Sequence, residues 1–220
     1  PLDKTHVFAS VQTLNSNQKY RDFAKDYFDY IVIDESHHAS ASSYFGIIEY
    51  FKPEILLGLT ATPERMDGQN ILDHFNSRVA SEIRLTDAID KKLLSPFHYF
   101  GVTDPEGLSH LRWSKGGYDI SELENVYTKS NQRVQTILDA LEKYVADTGA
   151  FKGLGFCVSI DHAKFMATSF NRVGIPSLAL HSNTRDQERQ EAKLKLQSGE
   201  INCIFTVDLF NEGVDIPDID

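Results

Sequence analysis

The feature that most constrains the fold of this chain is a series of short, continuously apolar runs separated by stretches of helical period. The runs are "HVFAS" (6–10), "YIVID" (30–34), "ILLGL" (55–59), "FHYFGV" (97–102), "LGFCVSI" (154–160), "SLAL" (177–180) and "NCIFTV" (202–207). A strand with one wet face alternates apolar and polar residues. A strand that is apolar throughout is covered on both faces, as in a parallel sheet flanked by helices. The intervening patterns supply those helices. Between 132 and 145, Val134, Ile137, Leu138, Leu141 and Val145 share one face, and Gly149 is expected to end the helix in a left-handed conformation. A second helix is expected over 161–173, stopped by Gly174 and Pro176, and a third over 184–199, charged and exposed apart from Ala192, Leu194 and Leu196. The stretch 103–130 holds Asp104-Pro105 and Gly116-Gly117 without a clean period, which reads as a connector or insertion. The class is α/β with parallel sheets.

Composition narrows what such a fold does. With 220 residues the chain forms one large domain or two small ones. There is no run of about 18 apolar residues, so no membrane-spanning helix is expected. No basic segment followed by an apolar one opens the sequence, so no secretory signal is read. Cys157 and Cys203 lie inside apolar runs, the pattern of buried thiols in a reducing, cytoplasmic setting. The net charge of −10 argues against a surface that grips nucleic acid by wholesale counterion release. A local groove holding a strand through amides and hydroxyls remains compatible with it. The chain starts at Pro1 and stops at "VDIPDID", which suggests a segment of a longer protein.

The run "YIVID" ends in Asp34, Glu35, Ser36 and His37. In open parallel sheets, ligands bind beyond the carboxyl ends of the strands. An aspartate there can hold Mg²⁺ that bridges the β- and γ-phosphates of a nucleotide. A neighbouring glutamate can polarise the attacking water. The plain structural alternative is that one of the two acids caps a following helix. Farther on, "ILLGL" ends in Thr60-Ala61-Thr62 before Pro63, which as local structure alone is a good helix start.

Taken together these stretches resemble a known family. "DESH" (Asp34–His37) matches motif II, the Walker B box, of superfamily 2 helicases and translocases of the DExH/DEAD type, close to the type III restriction-enzyme group. "TAT" (Thr60–Thr62) matches motif III, and "FTVDLFNEGVDIP" (Phe205–Pro217) matches motif V. "GFCVSIDHA" (Gly155–Ala163) resembles motif IV, and "VFASVQTL" (Val7–Leu14) resembles the strand-contacting segment before motif II. The resemblance implies a P-loop NTPase helicase core of two RecA-like parallel-sheet domains, both partial here. It divides the chain into 1–95, a connector 96–130, and 131–220. It implies ATP and Mg²⁺ as cofactors. The implied partner is a nucleic acid held by its backbone, DNA ahead of RNA, with no membrane. By the same resemblance Asp34 holds the metal through water, Glu35 activates the hydrolytic water, and His37 links the nucleotide to motif III. Thr60 and Thr62 couple the nucleotide state to the strand-binding face. Gly213 and Asp215 approach the ribose and phosphates. Gln12, Thr13, Thr206 and Arg189 contact the nucleic-acid backbone.

Two departures matter. The sequence contains no "GxGKT" phosphate loop and no "QxxGRxxR" motif VI after motif V. A missing arginine finger alone removes about 10³- to 10⁵-fold in turnover, or about 4 to 7 kcal/mol. These 220 residues by themselves are therefore expected to hydrolyse ATP poorly or not at all. Two other classes compete: a non-catalytic nucleic-acid-binding scaffold with a degenerate helicase fold, and a small metal-dependent phosphohydrolase using Asp34, Glu35 and His37. The second lacks any HxH or HExxH spacing.

Overall fold

The computed structural model describes residues 4–38, 42–62, 71–103, 107–108, 111–114, 117–128, 131–207 and 219. The chain forms two compact units, 1–97 and 98–220.

In the first unit, α1 (Val11–Asn15) precedes β1 (Tyr30–Ile33), α2 (Ser42–Tyr50), β2 (Ile55–Gly58) and α3 (Leu85–Asp90). β1 and β2 pair in parallel, Tyr30 opposite Ile55 through Ile33 opposite Gly58. A parallel pair needs a crossover, and α2 supplies it. Tyr20, Phe23, Ile47 and Phe51 form the core of this unit, with Ile31 of β1 packed on them. The Tyr50 hydroxyl donates to the Phe23 carbonyl at 2.8 Å, which satisfies the polar end of a ring otherwise in apolar company. β1 does not follow the expected burial on both faces. Ile31 and Ile33 are half-buried, whereas Tyr30 and Val32 are 51% and 50% exposed. The aromatic cluster packs against one side of the strand, and the other side is open among the described residues.

Two expected strands are absent. Residues 6–10 and 97–102 have no ladder partner among the described residues, and Phe8 is 97% exposed. An apolar run becomes a strand when its amides and carbonyls find a neighbouring chain, and composition cannot supply one. Phe100 instead stacks on Tyr144, ring centroids 4.0 Å apart.

The second unit begins with a short antiparallel hairpin, β3 (Trp113–Ser114) and β4 (Gly117–Tyr118). Then follow α4 (Ile120–Tyr127), α5 (Asn131–Tyr144), β5 (Gly153–Phe156), α6 (Ile160–Arg172), β6 (Ser177–Leu180), α7 (Asp186–Ser198) and β7 (Cys203–Thr206). The sheet is parallel with order β5-β7-β6. All four residues of the central strand β7 are buried. Cys203 and Phe205 join Ala163, Met166 and Phe170 of α6 on one face. Ile204 joins Leu180, Ala192 and Leu196 on the other. That division follows from the two-residue period of a strand and explains the unbroken apolar run.

The three expected helices form, and their ends follow local chemistry. The Ser159 hydroxyl accepts from the His162 amide at 3.1 Å as the N-cap of α6. Gly199 caps α7 with φ 77°, and Gly174 follows α6 with φ 83°. Gly149 does not play that part. α5 ends at Tyr144, and Gly149 lies beyond it in a turn where its amide donates to Asp147 Oδ1 at 2.9 Å. Helix α4 forms inside the expected connector. "DISE" is a helix start in which Asp119 Oδ1 accepts from the amides of Ser121 at 2.9 Å and Glu122 at 3.3 Å. Glu122 is diverted to Arg112, bonding its amide at 2.9 Å and its Nε at 3.0 Å.

Tyr127 of α4 stacks on His162 of α6 with centroids 5.0 Å apart, and Arg133 of α5 lies 4.0 Å above the same tyrosine ring. Burial, aided by the Arg133 charge, pushes the His162 imidazole down to about 4. No helix among the described residues is long and apolar enough to cross a membrane.

Gly155 lies opposite Phe205 across β5 and β7, and a Cβ there would stand 2.5 Å from Phe205 Cε1. The ring covers the glycine and takes up the space of its missing side chain. Gly155→Ala is expected to cost about 1–3 kcal/mol in urea unfolding, through overpacking. The folded His162 binds protons less well than the unfolded chain does. Its contribution is therefore complete above its ordinary 6.5 and is lost as pH falls from there towards about 4. Unfolding midpoints measured across that window should fall with pH, and less so in His162→Phe.

Candidate active site

The first unit places two loops side by side at the carboxyl ends of its strands. Ile33 pairs with Gly58, so β1 and β2 finish level. The next residue of the second strand, Leu59, then bonds twice to the first loop. Its amide donates to the Ile33 carbonyl at 2.9 Å, and its carbonyl accepts from the Ser36 amide at 2.8 Å. Residues 34 and 35 are thrown outward between those two anchor points.

Asp34 is exposed, and its Oδ1 accepts from the Glu35 amide at 3.0 Å. Glu35 has φ 50°, in the left-handed region that costs a residue with a Cβ about 1–2 kcal/mol. The Asp34 carboxylate and the Leu59 anchor hold it there. Glu35 Oε2 lies 3.3 Å from His37 Nδ1. The same ring nitrogen lies 3.1 Å from Thr60 Oγ1. Thr60 Oγ1 also accepts from the Thr62 amide at 3.1 Å, so its proton is left for another acceptor. One histidine nitrogen thus stands between a carboxylate from the first loop and a hydroxyl from the second. It can donate to either when protonated, or accept from Thr60 when not.

Five of the residues singled out in the sequence, Asp34, Glu35, His37, Thr60 and Thr62, therefore come together. Ser36 is an addition: it is 1% exposed and supplies the anchoring amide. The small side chain at the centre of "DESH" was its sequence signal. The expected helix start at Pro63 lies outside the described residues.

The remaining candidates are placed differently. Gln12 and Thr13 are exposed on α1, but Thr13 Oγ1 is 2.8 Å from Ser10 Oγ, and the Thr13 amide donates to that oxygen at 3.2 Å. Ser10 is thereby the N-cap of the five-residue α1, and Thr13 is its partner. Arg189 donates from Nη2 to the Ser182 carbonyl at 2.8 Å and pairs with Asp186 at 3.6 Å. Its guanidinium braces the loop between β6 and α7. Thr206 is fully buried at the end of β7. Gly213 and Asp215 lie outside the described residues.

The donors present fit a small hard cation carrying water better than a closed metal cage. Among the described residues no group of three or more metal-ligating side chains assembles. Mg²⁺ is commonly held by one or two carboxylates plus phosphate oxygens and waters. The exposed Asp34 carboxylate is a donor of that kind.

Comparison with known proteins decides the family. Residues 2–65, in the first unit, match the family described as type III restriction enzyme, res subunit. Residues 126–220, in the second, match the helicase conserved C-terminal domain. The chain belongs to the superfamily 2 helicases of the DExH/DEAD type. A "51.5 kDa protein" of a Lactococcus phage is 29% identical to this helicase segment over 86% of the chain and 40% of its own length. The type I restriction enzyme EcoAI endonuclease subunit of Escherichia coli is 30% identical over 73% of the chain and 22% of its own. The DNA 3'-5' translocase XPB2 of Sulfurisphaera tokodaii is 23% identical over 87% of the chain and 50% of its own. The chain spans half or less of each of these relatives. A solved structure of S. cerevisiae Dbp5 bound to RNA and ADP BeF3 aligns at 13% identity and a TM-score of 0.47, covering 96% of this chain and 48% of that one.

Thr60→Val keeps the shape of the side chain and removes the oxygen shared by His37 and the Thr62 amide. Urea unfolding is expected to show a loss of about 0.5–1.5 kcal/mol. The His37 ring ¹⁵N resonances should move in the same variant.

Proposed function

We propose that this chain is the part of an ATP-driven nucleic-acid motor that carries its hydrolytic carboxylates and the first relay from them. The observation that supports this most is the pair of backbone hydrogen bonds from Leu59 to the 33–36 turn, which sets His37 against Thr60 next to Asp34 and Glu35. A bound Mg²⁺ would neutralise charge on the β- and γ-phosphates of ATP. Asp34 would hold its hydrated shell. Glu35 accepts a proton from the attacking water. In this structure Glu35 Oε2 rests 3.3 Å from His37 Nδ1, which leaves its other carboxylate oxygen to engage the water. A proton taken up by Glu35 weakens its pull on His37, which also meets Thr60. The contact between the two loops therefore responds to the state of Glu35, which is a physical route from nucleotide to motif III.

DNA is the favoured track. Two of the relatives are by name a restriction endonuclease subunit and a DNA translocase. The net charge of −10 suits a grip made by a few placed donors on the strand backbone. The metal-only phosphohydrolase is disfavoured, because it needs further ligands and no group of three or more metal-ligating side chains assembles among the described residues.

The test is nucleic-acid-stimulated ATPase in the full-length helicase that carries this segment. Glu35→Gln should lower stimulated kcat by about 10²- to 10⁴-fold while nucleotide binding persists. Unchanged turnover would remove Glu35 from the role. Greater stimulation by RNA than by DNA would reverse the choice of track, and no stimulation by either would favour a scaffold. The 220 residues alone should show no brisk phosphate release in a malachite-green assay, because they supply neither a phosphate loop nor motif VI.

A further inference from the structure

We propose that Phe75 is a positioning residue for the His37–Thr60 contact, acting from beneath the two loops through Gly58 and Ser36. The inference rests on reading 34–37 and 60–62 as the nucleotide-responsive site. Gly58 is the last residue of β2, immediately before Leu59 and Thr60. A Cβ on Gly58 would lie 2.6 Å from Phe75 Cζ, 2.9 Å from Phe75 Cε1 and 2.9 Å from Ser36 Oγ. The phenyl edge and the serine hydroxyl thus converge on the bare backbone of the second strand, with no room for a side chain. Ser36, at 1% exposure, sits between Glu35 and His37, so whatever fixes Ser36 fixes the origin of both functional side chains.

Phe75 is itself held from both sides. It closes a turn of 3-10 helix, Ile71–Phe75, whose first residue is 2% exposed. Asn76 and Ser77 follow in left-handed conformations, φ 53° and 54°. The Ser77 amide donates to the Leu72 carbonyl at 2.8 Å, and the Arg78 amide to the Phe75 carbonyl at 3.1 Å. The ring that faces Gly58 is therefore braced by its own segment. Thr60 touches the 34–37 turn through His37, and Phe75 and Ser36 Oγ both face the bare backbone of Gly58. A ring removed from that position leaves space beside Gly58 into which the end of β2 and Ser36 can shift, drawing Thr60 and His37 apart.

The experiment is long-range ¹H–¹⁵N spectroscopy of the histidine rings in the full 220-residue chain. His37→Gln assigns the signal, and Thr60→Val marks its position without the contact. Phe75→Ala and Phe75→Leu are expected to move the His37 resonances towards the Thr60→Val position by more than the linewidth. Leu, which restores apolar volume without the flat ring, should move them less. Circular dichroism and melting report folding separately. A merely structural phenylalanine would lower the melting temperature and leave the His37 signal in place, and that result in either folded variant overturns the proposal. Should both Phe75 variants unfold, Gly58→Ala decides: it keeps the ring but forces it and Ser36 apart, and an unmoved His37 signal overturns the proposal. No nucleotide is present, so this outcome is independent of whether Glu35 proves catalytic.

Discussion

Leu59 is bonded by its amide to the residue before the aspartate and by its carbonyl to the residue after the glutamate, and the site depends on those two backbone bonds. They are short, they close a small loop, and they require no particular side chain at 59, which is 47% exposed. The side chains that carry chemistry are then set by geometry. Asp34 and Glu35 are expelled from the ladder because the bonds on either side leave them no partner strand. Glu35 is forced into a left-handed backbone. His37 emerges on the far side of the anchor, within reach of Thr60. An arrangement specified by the main chain tolerates change in the side chain at 59.

The two units show different degrees of self-sufficiency in their described residues. In the second, β7 is covered on both faces by clusters that alternate along it, and Phe205 packs over Gly155 and against Phe170. In the first, the core is a nest of aromatic rings on one side of a two-stranded sheet, with Tyr30, Val32 and Ile55 left half exposed. The five candidate side chains that come together lie in the first unit, at the end of its thinner sheet. Backbone hydrogen bonds, more than buried area, keep them in place.

Much of this was legible in the sequence, for identifiable reasons. The strands at 30–33, 55–58, 153–156, 177–180 and 203–206 announced themselves as apolar runs, and Gly174 and Gly199 marked real helix ends. "HVFAS" and "FHYFGV" carried the same signal and failed, because strand formation is a property of pairs. Gly149 misled because a glycine after a helix need not be its cap when the helix stops several residues earlier. Helix α4 has its start in Asp119 and Glu122, but the neighbouring Gly116-Gly117 gives the stretch the signature of a loop. Within the site, Asp34, Glu35, His37 and Thr60 could be named, but the shared nitrogen of His37 could not. That depends on a register, Ile33 against Gly58, which no pattern of residue types encodes. Burial of Thr206 and the inward bracing of Arg189 were equally hidden, since each follows from which neighbours the chain brings in.

The central claim is that a metal-bound nucleotide meets this unit at the 34–37 turn and is felt at once by the 60–62 loop. The direct measurement is paramagnetic line broadening by Mn²⁺·ATP in the full-length helicase that carries this segment, read at backbone amides. The account predicts that the amides of Glu35, Ser36 and His37 broaden first, those of Thr60 to Thr62 next, and that Asp34→Asn removes both effects. Broadening centred elsewhere, with the 34–37 amides sharp at saturating Mn²⁺·ATP, would contradict it.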